Sequence, residues 1–137
     1  METTMSLDGI NWLAVLLATA SAFLLGGIWY GPLFKRAWCR ENGTDPDAPP
    51  KGHPGKVFGI AIAAAFVAAT AFAMFLGPEP APGFAVAAGL VAGLCWVAMS
   101  FGINYAFAGR SLKLWLIDGG YHVIQFALYG LILGLWH

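Results

Sequence analysis

The chain has 137 residues, of which 59% are hydrophobic and 10% charged, against roughly 45–50% and about 25% in soluble domains. That composition excludes an ordinary soluble domain, and the length allows one domain, 1–137, and not two. The formal net charge is +0, which gives no electrostatic basis for nucleic-acid binding.

The opening METTMSLDGI has no Lys or Arg. A cleavable signal needs a basic n-region, so the first apolar segment is expected to stay in the mature protein. Four runs then reach the roughly 20 apolar residues that a membrane-crossing helix needs: 11–31, 57–77, 84–108 and 112–136. They are continuously apolar, without the period-2 alternation of a lipid-facing barrel strand.

The first span runs from Asn11 to WYGP. Pro32 is expected to end or kink the helix, and Trp29 and Tyr30 suit an interface anchor. The next residues, LFKRAW, place Leu33, Phe34, Ala37 and Trp38 around Lys35 and Arg36. That pattern fits an interfacial helical turn facing anionic headgroups, or a plain loop start. RENGTDPDAPPKGHPGK follows, a Pro- and Gly-rich connector; its two Asp lack the spacing of a calcium loop. GPEPAPG breaks the chain between the second and third spans, and the short AGRS makes the last two spans a tight antiparallel hairpin. Cys39 and Cys95 fall in a basic loop and an apolar run, and are read as free thiols.

All seven basic residues lie in two loops: Lys35, Arg36, Arg40, Lys51 and Lys56 in the first, Arg110 and Lys113 in the third. The positive-inside rule places both loops in the cytoplasm and both termini outside. Trp12 and Trp136 then mark the outer interface, and Trp29, Tyr30, Trp38 and Trp115 the inner one. The fold expected is all-α: a four-transmembrane-helix bundle of up-down topology with a long first cytoplasmic loop.

Every span carries small residues at four-residue steps: Ala14, Ala18, Ala22 and Gly26; Ala61, Ala65, Ala69 and Ala73; Ala85, Gly89 and Gly93; Gly130 and Gly134. Such stripes pack helices closely in lipid. Beyond the bilayer itself, a possible partner is a second copy, met through Gly89 and Gly93 or Gly130 and Gly134.

The last span begins LWLIDGGYHVIQF. Asp118, His122 and Gln125 share one helical face. Asp118 lies about 9 Å in from the start of the span and His122 about 15 Å, at 1.5 Å per residue. The hairpin brings Ser100 and Asn104, four residues apart on the third span, to a similar depth. Ser100, Asn104, Asp118, His122 and Gln125 are therefore read as an intramembrane polar seam, either structural or a binding site at which Asp118 and His122 exchange a proton. Gly119 and Gly120 leave room for a neighbouring backbone. Two ligands are too few for zinc, and no nucleophile elbow, phosphate loop or zinc-protease motif occurs. No catalytic residue, metal or cofactor is expected, nor an enzyme.

Three stretches, NWLAV from Asn11, GGIWYGPLFKRAW from Gly26 and GRSLKLWLIDGGYHV from Gly109, resemble the DUF1761 family of small bacterial membrane proteins of unknown function. The resemblance runs the whole length and implies a four-helix membrane protein; it brings no catalytic residues. A shorter echo lies inside the chain: GIWYG at Gly27 and GINYA at Gly102 both close an odd-numbered span just before a basic loop. Two parallel hairpin repeats are one way to build half a transporter. The function expected is an accessory or structural bundle of the bacterial inner membrane. The alternative is a minimal oligomeric transporter or channel with a proton-linked site at Asp118 and His122.

Overall fold

A computed structural model describes residues 5–49 and 51–137. The first four residues of the N-terminal stretch, and Pro50 of the connector, lie outside it. The described chain is helical, and four of its helices are long and apolar enough to cross a membrane: Trp12–Leu33, Pro54–Leu76, Pro82–Ala108 and Leu112–Leu135, the first to fourth spans.

Helix α1, Trp12–Ile28, starts where the side chain of Asn11 accepts from the amides of Leu13 and Ala14. This caps two of the four donors a helix start leaves free. The helix does not end before Pro32. It widens into a π turn, Trp29–Leu33, closed by the Phe34 amide bonding to the Trp29 carbonyl. A π turn removes the need for the bond that proline cannot donate, so the span runs through Pro32 to Leu33. Helix α2, Lys35–Asn42, is a short amphipathic helix, which decides between the two readings of LFKRAW. It stops at Gly43, whose φ of 70° is the left-handed conformation suited to glycine.

Helix α3, Pro54–Leu76, starts three residues before the expected boundary, because Pro54 fits the first turn and His53 caps the Lys56 amide. The third span comprises α4, Pro82–Val91, a π stretch, Ala92–Ala98, and α5, Met99–Ala108. Helix α6, Leu112–Leu135, is capped by Ser111.

The fourth span is central and touches each of the other three. Its glycines explain how. A Cβ on Gly130 would collide with the Ala85 carbonyl, and one on Gly89 with that of Phe126. One on Gly93 would lie 2.7 Å from the His122 oxygen, and one on Gly134 2.8 Å from the Cα of Pro82. The pairs 82 with 134, 85 with 130, 89 with 126 and 93 with 122 show that the third and fourth spans run antiparallel. They also correct the placement of these four glycines. They are not free to meet a second copy, because each is filled by backbone of the same chain.

The other stripes are used unequally. Ala14, Ala18 and Ala22 are fully buried, in a core with Val15, Ala69, Phe72, Ala73, Tyr129 and Leu133. On the second span Ala69 and Ala73 are buried, but residues 54–64 are all exposed.

Two ends are distinct. At one, α2 reaches the third loop: the Arg110 guanidinium donates to the side chain of Asn42 at 2.7 Å, and the Ser111 hydroxyl donates to Glu41. At the other, Ile10, Asn11, Gly77, Pro78, Leu133 and Trp136 line one small cavity. The two basic loops therefore share one end. Cys39 is buried and Cys95 exposed, both free.

Gly130→Ala is expected to lower unfolding free energy by roughly 2–3 kcal/mol, since a methyl group has no space against the Ala85 carbonyl. Gly27→Ala, with nothing within 4 Å, is expected to be neutral or to stabilise by up to about 1 kcal/mol. Reversible unfolding in mixed micelles compares them.

Candidate functional site

The polar residues of α6 fall into two groups. The first centres on Asp118, 8% exposed and without a cationic side chain in ion-pair distance among the described residues. Two hydroxyls satisfy it instead. Tyr30 Oη donates to Oδ1 at 2.6 Å, and Tyr105 Oη donates to Oδ2. Tyr30 stands in the π turn that ends the first span, and Tyr105 in α5. One carboxyl group thus joins three spans.

Three more aromatic side chains reinforce the same region. Trp29 Nε1 donates to the Ile117 carbonyl at 2.8 Å, Trp115 Nε1 to the Ala98 carbonyl at 2.7 Å, and Tyr121 Oη to the Ala22 carbonyl at 2.8 Å. Each pairs an apolar ring with a polar tip that finds a partner on another helix. Gly119 and Gly120 make the space. A Cβ on Gly120 would lie 3.1 Å from the Trp29 ring, and one on Gly119 3.3 Å from Ala98 Cβ.

The second group is a line of hydrogen bonds toward the second span. His122 Nδ1 lies 2.6 Å from Gln125 Oε1, Gln125 Nε2 donates to Tyr129 Oη at 2.7 Å, and Tyr129 Oη donates to the Ala65 carbonyl at 3.1 Å. The carbonyl at the end can only accept, which orders the line. Tyr129 donates to it and accepts from the Gln125 amide, so Gln125 Oε1 accepts a proton held on His122 Nδ1. No hydrogen bond joins His122 to Asp118.

Of the five residues assigned to the seam, the structure buries Asp118 and Gln125, half-buries His122, and leaves Ser100 and Asn104 exposed. Ser100 Oγ bonds to the carbonyl of Trp96 on its own helix at 2.6 Å. Depth was matched but the face was not: Ala98, Phe101 and Tyr105 turn toward α6, and Ser100 and Asn104 point away. The partners Asp118 does have, Tyr30 and Tyr105, occupy the same position in the two echoing pentapeptides GIWYG and GINYA. Of the interfacial anchors, Trp29 and Tyr30 turn inward to α6, Trp38 packs edge-on against Tyr30, and Lys35 and Arg36 are exposed.

Tyr30→Phe and Tyr105→Phe are each expected to lower stability by roughly 1–3 kcal/mol, the range for leaving a buried acceptor without one of its partners. In an Asp118→Ala background both losses should shrink toward zero. Additive losses in that double-mutant cycle would show that the hydroxyls act elsewhere.

No curated protein and no solved structure matches the chain. A family model does, described as a protein of unknown function, DUF1761. The match covers residues 13–134, from the second residue of α1 to the last turn of α6, and so takes in both hydrogen-bonded groups. On nearly the whole of its length, the chain belongs to the DUF1761 family.

Proposed function

We propose that the protein is a multi-pass component of the bacterial cytoplasmic membrane, an up-down four-helix bundle that works as an accessory or structural element and not as an enzyme. The antiparallel run of the third and fourth spans supports the topology. The gathering of Lys35, Arg36, Arg40, Arg110 and Lys113 at one end supports an orientation with that end in the cytoplasm and both termini outside. Alkaline phosphatase fused after His137 is expected to be active, and the same reporter inserted at Lys51 inactive. The reverse pattern would invert the orientation.

The observation that carries the structural reading is the clamp on Asp118. In hydrocarbon a polar group has to find its partner inside the protein. Asp118 has two, on two different helices, and the His122 line ends on a third. These side chains join spans to one another. Neither of the two cavities described, at the terminal end and on the outer face between the first and second spans, is lined by Asp118, His122 or Gln125.

The competing reading, an oligomeric transporter or channel, draws on one fact: a buried carboxylate with no cation beside it is costly in a membrane, by at least about 2.5–3.5 kcal/mol on insertion scales. Asp118→Asn separates the two. Under the structural reading, vesicles holding the parent protein leak protons no faster than empty ones, and the variant loses folded yield. Proton flux in the parent that disappears in a normally folded variant would establish transport.

A further inference from the structure

Five of the six tryptophans lie near helix ends or beyond them, at the depth of the interface, and two of these, Trp29 and Trp115, donate to carbonyls of neighbouring helices. Trp96 does not. It stands 12 residues from the end of the third span at Ala108, or about 18 Å in at 1.5 Å per residue. The residue is 59% exposed, its ring touches Phe75 edge-on, and its N–H has no hydrogen bond among the described residues. One turn on, Ser100 Oγ donates to the Trp96 carbonyl and keeps its lone pairs open. Two turns on, Asn104 is exposed, with no hydrogen bond to its carboxamide among the described residues. Ile103 and Phe107, 61% and 92% exposed, flank the stripe.

This stripe is unlike the rest of the outer surface. Among the described residues, the exposed side chains of the four spans that carry nitrogen or oxygen are Trp96, Ser100 and Asn104, together with Trp12, Lys56 and Lys113 in the first turns of their helices. Those three reach the interface. A free indole N–H in mid-span faces hydrocarbon, which offers it nothing.

We infer that the Trp96–Ser100–Asn104 face of the third span is the contact surface with a second copy of this chain. Two copies inserted the same way and related by a two-fold axis along the membrane normal place each residue at the depth of its counterpart. A carboxamide both donates and accepts, so Asn104 is its own complement. Ser100 offers open lone pairs one turn from an indole N–H that needs an acceptor, and its small side chain lets two helices approach. The glycines cannot serve, because they are filled from within the chain.

The test uses the full chain in lipid. In a Cys95→Ala background, Ser100→Cys is expected to form a disulfide-linked dimer on oxidation in membranes, and Ile60→Cys, exposed on the second span, is not. Single-molecule photobleaching in dilute vesicles should show dimers. Asn104→Leu should raise their dissociation constant about three- to thirtyfold, the range for one interhelical hydrogen bond. Monomer unfolding should stay unchanged, because the Asn104 side chain bonds to no other described residue. A parent protein that is monomeric at every dilution, linking at Ser100→Cys no faster than at Ile60→Cys, or a Ser100→Cys adduct with a different protein in native membranes, would overturn the assignment.

Discussion

The arrangement of the helices rests on the need of one carboxyl group for two donors. Asp118 sits in the interior of an apolar bundle, and its oxygens accept from Tyr30 on the first span and Tyr105 on the third. The first span and the third can reach it only if the fourth lies between them. The central position of α6 follows, and so does the spacing. Tyrosine is long, so the helices bearing Tyr30 and Tyr105 need not touch α6 at that level. Further along the hairpin, at Gly89, Gly93, Gly130 and Gly134, nothing bridges a gap and the backbones meet directly. The hairpin is thus pinned by hydrogen bonds at the basic end and by close packing elsewhere.

The two π segments belong to the same constraint. Adjacent residues on a helix point about 100° apart, yet Trp29 and Tyr30 both bond to α6, one to the Ile117 carbonyl and one to Asp118. The wide turn around Pro32 lies where they do so. The second π stretch ends at Ala98, whose carbonyl takes the Trp115 indole. In both places an irregular turn coincides with an interhelical bond, a common setting for π turns. Proline in the first span is then compatible with the site, because the turn it sits in has no use for its missing N–H.

Much of this was legible in the residues. The number of helices, the short hairpin and the polar character of LWLIDGGYHVIQF follow from hydropathy, loop length and helical periodicity. What periodicity could not supply was the rotation of the third span about its own axis. Ser100 and Asn104 attract attention because they are polar, and depth alone pairs them with Asp118. The span is apolar on most of its circumference, so it has no single hydrophobic face to fix its rotation as a soluble helix would. The π stretch at Ala92–Ala98 shifts the phase again. Tyrosines at membrane ends read as interface anchors, which hides Tyr30 and Tyr105 as ligands of the carboxyl group. The one signal that could have picked them out is the repetition of GIWYG as GINYA, and its meaning is local: two spans entering the same end present the same residue to the same acceptor.

The small residues show why a motif and a surface are different things. Glycine at four-residue steps permits close approach to whatever comes, and in a hairpin with a turn of about three residues the neighbouring span is always the first arrival. A stripe of glycine in such a hairpin is therefore filled before any second chain can reach it. Polar atoms behave differently. They keep a record of whether they have been met, because an unmet donor or acceptor remains one. The glycine faces of the third and fourth spans are closed, while Trp96 and Asn104 hold groups that no part of the described chain reaches. In a protein whose outer surface is apolar almost everywhere, the unmet hydrogen bond on an exposed side chain, and not the small side chain, marks the face left for a partner.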